Sequence, residues 1–501
     1  MSSTAPLPET IAARATAGYR SSLWSHAVRI ACKAIGIVLV ARFVTPAEHG
    51  LFAMVASVFF VLVLFRDVGL GAAAIQAREL SAEQRTTLWH AHVALGLLLG
   101  GLMLALAPAT AAFFNQPALV PLTATVSIAL VIIGLNAWPR ALLARDLRFT
   151  ELNRIETTAA VLGTAGMITT ALLDGGAYAF AAFLLVSEFV CLVGAWRICG
   201  WRPTAPAHWR SLRPLHRPAS DLLVYNVLQC ALTQVDTVLV GRWFGAAAAG
   251  LYNRPTQLLA LPLTHIATPL SQVLAASLSR LSPASPDFSA TVRQATNLLA
   301  HLTLPIAAVC LVVPHDLVRL VLGPDWPDAA PLLRWLAVSA TASYLTSTVY
   351  AVCFATAQTR RLVVLSLAAL VATFLALWFA RTHGPLGLAI ALASVNSLLL
   401  VPRLCLATWR TPVSLRDYTN ALAAPLALAV LLATALIVFR NLTTNLHWLT
   451  RFILTLSAAL ASTGAIAALV PPLRFEFLRL WQLRSARSSS SHVDATPPLR
   501  R

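Results

Sequence analysis

The residues best placed to do chemistry are cations that interrupt apolar stretches of this chain. Arg29 and Lys33 are four residues apart, so a helix presents both on one face. Arg66 lies within the next apolar stretch, and at about 1.5 Å per residue a helix running back across the membrane brings it to a depth near that of Arg29. An ionisable group within a membrane is costly to bury, which makes it a candidate for function. Because arginine binds phosphates through paired hydrogen bonds, these three cations predict a diphosphate site.

A stripe of polar residues marks the seventh apolar stretch. Asn226, Gln229 and Thr233 recur at i, i+3 and i+7, so one helix face is hydrated or hydrogen-bonded. Such amides and hydroxyls could bind the hydroxyl groups of a sugar, or they could join neighbouring helices. Asp236 follows on the same helix. Arg254, about one turn into the next, could attract an anion or pair with Asp236. All five residues are candidates for substrate binding.

Two carboxylates are candidates for ion coupling. Glu188 lies in the middle of the sixth apolar stretch, and Glu156 lies near one end of the fifth. A carboxylate held in a membrane can gain and lose a proton, which would couple transport to a proton gradient. Structural pairing with a cation is the alternative for both.

One short element occurs twice, two hundred residues apart. An arginine is followed eight residues later by a glycine, first as Arg42 and Gly50 and then as Arg242 and Gly250. An apolar run precedes each arginine and another follows each glycine. A repeat in a very apolar chain indicates two related membrane halves, an organisation typical of transporters. The four residues are predicted at the outer ends of equivalent helices, where the arginines would anchor the ends of a gate.

The composition requires a membrane around most of these elements. Of the 501 residues, 58% are hydrophobic and 11% are charged, against about 25% charged in a soluble protein. Apolar runs of about 20 residues recur along the chain. We therefore expect an all-α polytopic membrane protein with about 14 transmembrane helices. The scattered cysteines have no metal-ligand spacing, and neither a metal nor another cofactor is expected.

The net charge of +18 could indicate nucleic-acid binding, but the arginines form no single arm or face. They crowd into alternate loops instead, as in the loop that receives Arg140, Arg145, Arg148 and Arg154. The opposite side receives few cations, namely Arg42, Arg242, Arg319, Arg381, Arg440 and Arg451. The positive-inside rule then places both termini in the cytoplasm and argues against a nucleic-acid partner.

This topology predicts two six-helix lobes that face the same way. The N-lobe takes residues 1–200, a basic cytoplasmic linker takes 201–218, and the C-lobe takes 219–410. Residues 411–472 supply two further helices, and 473–501 form a basic cytoplasmic tail.

The residues around the repeat resemble those of a known family. Ala41–Leu51 is similar to the R-x-L-T-P-x-x-x-G opening of polysaccharide exporters, and Asp67–Gln76 resembles the close of their second span. Asp236–Arg242, with Gly250–Tyr252 and Pro262, is similar to their seventh and eighth spans. The family is that of Wzx/WzxC-like oligosaccharide flippases, within the multidrug/oligosaccharidyl-lipid/polysaccharide exporter superfamily.

The resemblance implies a two-lobed helical bundle with a cationic central cavity in the bacterial inner membrane. It implies that undecaprenyl-diphosphate-linked oligosaccharide units cross that membrane by alternating access, for exopolysaccharide or O-antigen biosynthesis. The substrate would be the lipid-linked oligosaccharide, and polysaccharide polymerase machinery is a candidate partner. A multidrug or peptidoglycan lipid-precursor exporter of the same fold is the alternative.

A membrane glycan polymerase or ligase is a rival of another class. Such enzymes typically carry catalytic residues on a large outer loop, whereas the longest outer loop here is roughly 314–330 and shows no catalytic pattern. Gly69–Ala74 fits a dinucleotide-binding pattern, but no strand precedes it. Gly96 and Gly100 are spaced for close helix contact. A transporter, not an enzyme, is therefore expected.

The cations of the first two apolar stretches also have a structural interpretation. In it, Arg66 pairs with Asp67, and the Arg29 side chain extends to the membrane surface.

Overall fold

The computed structural model describes residues 8–66, 80–203, 220–282, 285–356, 358–409, 411 and 413–469. The regular elements within these ranges are all helical. In chain order they are α1 (Pro8–Val40), α2 (Pro46–Val63), α3 (Ala82–Ala105), α4 (Ala107–Phe114), α5 (Leu119–Arg145), α6 (Phe149–Leu172), α7 (Tyr178–Cys199), α8 (Ser220–Leu278), α9 (Pro286–Val312), α10 (Pro314–Val321), α11 (Ala329–Leu345), α12 (Ser347–Ala355), α13 (Thr359–Ala380), α14 (Gly384–Thr408), α15 (Leu415–Leu442) and α16 (Trp448–Leu469).

The long helices are apolar enough to cross a membrane. Within the described residues, 10 stretches have the required length and hydropathy. One of them, Val224–Leu278, has 55 residues, far more than the roughly 20 that one crossing needs. It is broken at Gly245, whose φ of 82° lies outside the helical region, so α8 consists of two helices joined there. The predicted all-α membrane fold is confirmed.

The helices form two compact units. The first contains α1 to α7, α8 as far as Ile266, and later segments that include α13. The second contains the remainder of α8 together with α9, α12, α15 and α16. The division into lobes, linker and tail and the cytoplasmic position of the termini stay predictions.

Local sequence explains where several helices begin. The Thr45 hydroxyl accepts a hydrogen bond from the Glu48 N–H, and the Glu48 carboxylate accepts one from the Thr45 N–H at 2.8 Å. Ser81 with Gln84 starts α3 in the same way, and Ser414 starts α15. These capping boxes satisfy backbone donors that would otherwise lack partners. The first one fixes the start of α2 within the first copy of the repeat, between Arg42 and Gly50.

Close helix contact at the Gly96 motif is confirmed. A Cβ atom on Gly96 would lie 2.8 Å from the Gly134 Cα, so α3 and α5 meet there backbone to backbone. The segment Gly69–Ala74 and the matching stretch Asp67–Gln76 lie outside the described residues, as do most of the linker and the whole predicted tail.

Candidate functional site

A face of α1 carries three basic side chains in succession. His26, Arg29 and Lys33 are spaced by three and four residues, so they follow one another along a single face. Lys33 is exposed and Arg29 is half-buried, where it donates a hydrogen bond to the carboxylate of Glu156 on α6. The structure therefore brings Arg29 together with a predicted ion-coupling residue.

Glu156 is held between two arginines. Besides Arg29, it accepts a hydrogen bond from Arg140 Nη2 at 2.6 Å. The topology prediction counted Arg140 among the cytoplasmic cations near the end of its span. In the structure α5 continues to Arg145, and the Arg140 side chain reaches Glu156 on α6. The carboxylate of Glu188 also has a partner, because it accepts a hydrogen bond from Asn136 Nδ2 at 3.0 Å. Both predicted carboxylates thus lie in one polar network with α5, and their role in ion coupling stays a prediction.

A second basic residue on another helix joins the α1 face. The ring of His265, on α8, meets the ring of His26 edge to face, with 5.0 Å between their centroids. His265 also lies within electrostatic range of Arg29 and Lys33. We call His26, Arg29, Lys33 and His265 the cation cluster. The sequence interpretation considered permanent charges and passed over both histidines, although the three-residue spacing from His26 to Arg29 was a usable signal.

The same two helices also touch at Arg254. Its Nη2 donates a hydrogen bond to the carbonyl oxygen of Ile37 at 2.8 Å. His26 and Ile37 are eleven residues apart on α1, and Arg254 and His265 are eleven apart on α8. Equal separations in opposite directions mean that α1 and the second half of α8 run in opposite directions between these two contacts. The two contacts lie about 16 Å apart along them.

Arg254 has no carboxylate partner among the described residues. The side chain is 2% exposed, and the guanidinium lies over the ring of Phe180, 5.5 Å from its centroid. Asp236 instead accepts a hydrogen bond from the Thr237 N–H at 2.7 Å and lies beside the Tyr252 hydroxyl. The suggested ion pair between Arg254 and Asp236 is therefore wrong. The cause is that a carbonyl oxygen and an aromatic face surround the buried guanidinium.

The polar stripe on α8 lies on its more exposed side. Asn226 and Thr233 are exposed, Gln229 is half-buried, and the Thr233 hydroxyl donates to the Cys230 carbonyl at 2.9 Å. Arg66 is exposed just beyond the end of α2. Substrate binding by these four residues, and the convergence of Arg66 with Arg29 and Lys33, stay predictions.

The two copies of the repeat pack directly against each other. A Cβ atom on Gly50 would lie 1.7 Å from the Ala246 carbonyl oxygen, and one on Gly250 would lie 1.8 Å from the Pro46 carbonyl oxygen. Pro46 and Ala246 occupy equivalent positions in the repeat, so the contact is reciprocal, as at a local twofold axis. We call these four residues the glycine crossing. A side chain at either glycine would force the two backbones apart.

The arginines of the repeat lie outside the glycine crossing. Arg42 and Arg242 are both exposed, and the guanidinium of Arg242 lies 5.8 Å from the centroid of the Phe113 ring. Near the crossing, Trp326 Nε1 donates a hydrogen bond to the Ala41 carbonyl at 2.9 Å. Backbone and aromatic contacts thus join the ends of these helices, and their role as a gate stays a prediction.

Similar proteins are found by sequence. A family model described as "Polysaccharide biosynthesis protein" matches residues 39–331. The lipopolysaccharide biosynthesis protein WzxC of Escherichia coli is 24% identical over 63% of this chain and 65% of its own length. The teichuronic acid biosynthesis protein TuaB of Bacillus subtilis is 26% identical over 56% of this chain and 58% of its length. The chain thus matches less than two thirds of the length of either relative.

A solved structure supports the fold. The lipid II flippase MurJ, in an inward closed conformation, superposes with a TM-score of 0.67 at 14% identity. The superposition covers 90% of this chain and 99% of MurJ. At this identity the likeness concerns the arrangement of helices alone.

Proposed function

This chain belongs to the polysaccharide biosynthesis protein family, among Wzx-like flippases, and we propose that it moves undecaprenyl-diphosphate-linked oligosaccharides across the bacterial inner membrane. The units would pass from the inner to the outer leaflet by alternating access, for exopolysaccharide or O-antigen biosynthesis. The protein acts as a transporter, and both termini lie in the cytoplasm.

The observation that carries this proposal is the cation cluster. Its four basic groups come from two helices, and Glu156 is the carboxylate that contacts it in the described part of the chain. A diphosphate with two negative charges would complement this excess of positive charge. Arg29 supplies a fork of donors for phosphate oxygens, and the ammonium of Lys33 supplies a second point of attachment.

Glu156 holds Arg29 in place. The carboxylate pairs with Arg29 and Arg140 together, which limits the repulsion between the two arginines. An arriving diphosphate would compete with Glu156 for Arg29. Binding would then be an exchange of one anion for another, which keeps the arginine from being left unpaired in the membrane.

The test removes the two permanent charges of the cluster. We expect the double variant Arg29→Ala/Lys33→Ala to lose surface polysaccharide by at least about tenfold, since a bidentate and a monodentate phosphate contact are lost together. Cells lacking the native gene would carry either the variant or the wild-type gene. Surface polysaccharide and the amount of protein in the membrane would be measured together.

The matched control removes two exposed arginines elsewhere, as Arg280→Ala/Arg416→Ala, which changes the net charge equally. The control should export normally. Normal export by Arg29→Ala/Lys33→Ala at wild-type protein levels would contradict the proposed site. Rescue of a strain that lacks its peptidoglycan-precursor flippase, without any effect on polysaccharide, would favour the peptidoglycan alternative.

A further inference from the structure

We propose that His26 and His265 bind the diphosphate together with Arg29 and Lys33, and that they take up protons as it binds. This inference rests on the proposed function. It adds two substrate-binding residues and makes binding depend on pH.

Both imidazoles lie beside the cations that would bind the anion. Their rings touch edge to face at 5.0 Å, and the Nε2 atoms of both are buried without a hydrogen-bond partner among the described residues. A buried ring nitrogen without a partner loses a hydrogen bond that it would make in water. An oxygen of a bound diphosphate can accept from each ring nitrogen, if each ring carries a proton there.

The charged neighbours of the pair determine when the rings are protonated. Arg29 and Lys33 face them from α1, and Glu156 on α6, with Arg140 of α5 behind it, pairs with Arg29. Two protonated rings beside Arg29 and Lys33 would put four positive charges close together. A diphosphate removes that repulsion, and each charge-assisted hydrogen bond to it favours the protonated ring.

The sign of the pH dependence follows from this exchange. The substrate-bound protein holds more protons than the free protein, so substrate and protons bind cooperatively. The dissociation constant therefore falls as the pH falls through the range in which histidine titrates, about pH 5 to 8.

The experiment measures binding of a prenyl-diphosphate-linked N-acetylglucosamine to the purified full-length protein in lipid nanodiscs. This disubstituted diphosphate lacks the second ionisation that a phosphate monoester has near pH 6, so its own charge stays constant. We expect roughly tenfold tighter binding at about pH 5.5 than at about pH 7.5. The variant His26→Gln/His265→Gln should vary by less than about twofold over the same range.

The matched control is His90→Gln, because His90 is also a half-buried histidine on a helix. Its Nδ1 lies 2.9 Å from the Thr86 carbonyl oxygen, away from the cluster. This variant should keep the wild-type pH profile. If the double histidine variant does not fold, calorimetry of the wild-type protein in two buffers of different ionisation enthalpy gives the answer. Uptake of about one proton per ligand supports the proposal, and no uptake overturns it.

The outcomes separate this inference from the proposed function. Binding that requires Arg29 and Lys33 but keeps its pH dependence in the histidine variant overturns the inference alone. So does binding by the wild-type protein that does not change with pH. Failure of the wild-type protein to bind the probe at any pH overturns both proposals.

Discussion

The glycine crossing and the cation cluster share one helix, α8, which meets α2 at the crossing and α1 at the cluster, but they are built in opposite ways. At the crossing, backbone meets backbone at Gly50 and Gly250, and the nearby charge of Arg254 is enclosed by a carbonyl oxygen and an aromatic ring. At the cluster, the half-buried Glu156 pairs with Arg29, and two ring nitrogens have no partner among the described residues. The crossing is a close contact between backbones, whereas the cluster offers side-chain donors to an anion.

The difference assigns different tasks to two contacts of α8. A close-packed backbone contact determines how α2 and α8 are arranged, and it leaves no space for a ligand. A cluster with excess positive charge can bind something that arrives and leaves. Substitutions at the crossing should therefore change stability first, and substitutions at the cluster should change binding first.

The largest loss of stability is expected from substitutions at the glycine crossing. Gly50→Ala or Gly250→Ala should lower the free energy of unfolding by roughly 3 kcal/mol or more, because the new methyl group overlaps a backbone carbonyl that cannot rotate away. Thermal unfolding of the purified protein and its abundance in membranes would measure the loss. Gly101→Ala is the control, since a Cβ atom there meets nothing within 4 Å. Equal stability of the Gly50 and Gly101 variants would show that the crossing is not close-packed in the membrane.

We expect an intermediate loss of stability from a substitution of Glu156, the carboxylate that contacts the cation cluster. Glu156→Gln should cost about 1–2 kcal/mol of stability, because Arg29 and Arg140 lose the charge between them at a site that water partly screens. The same change should strengthen diphosphate binding several-fold, since the competing carboxylate is gone.

A matched substitution tests whether lower stability and stronger diphosphate binding are specific to Glu156→Gln. Glu151→Gln removes a carboxylate whose ion pair with Arg148 is more exposed, so both quantities should stay near their wild-type values. Thermal unfolding with and without the diphosphate probe gives both quantities for each variant. Weaker binding by Glu156→Gln would contradict the proposed exchange of anions.

The smallest loss of stability is expected from substitutions of two arginines on α8. Arg254→Lys should cost about 1 kcal/mol, because an ammonium keeps the charge but cannot replace the planar guanidinium over Phe180 and at the Ile37 carbonyl. Arg242→Lys, at an exposed position, should change stability by less than about 0.5 kcal/mol. Thermal unfolding of both variants tests the difference. A larger loss for Arg242→Lys would reverse the assignment of the buried contact.

Much of the fold could be predicted from the sequence because lipid imposes a simple pattern on it. Apolar runs of sufficient length mark the helices, and the paired arginine and glycine reveal the repeat. The sequence did not show that the two copies pack on each other, since similarity between two segments carries no information about their distance. It also could not show that Gly50 and Gly250 meet backbones rather than lipid.

The candidate site could be predicted only where charge marks it. Arg29 and Lys33 stood out in an apolar stretch, but neutral histidines do not interrupt hydropathy in the same way. Arg140 was considered only as a cytoplasmic cation because the positive-inside rule counts every arginine near a helix end, whatever its partner. Opposite charge suggested Asp236 as the partner of Arg254, whereas the structure shows the carbonyl oxygen of Ile37. Every residue has a backbone carbonyl, so the sequence does not indicate which one a side chain contacts.

The most direct test of the central claim is a flipping assay in reconstituted vesicles. A fluorescent undecaprenyl-diphosphate oligosaccharide would be loaded, and its appearance in the opposite leaflet would be followed by a membrane-impermeant quencher. We predict flipping by the wild-type protein and by Arg280→Ala/Arg416→Ala, and a loss of at least about tenfold in Arg29→Ala/Lys33→Ala. Flipping at the wild-type rate by the folded Arg29→Ala/Lys33→Ala protein would contradict the account.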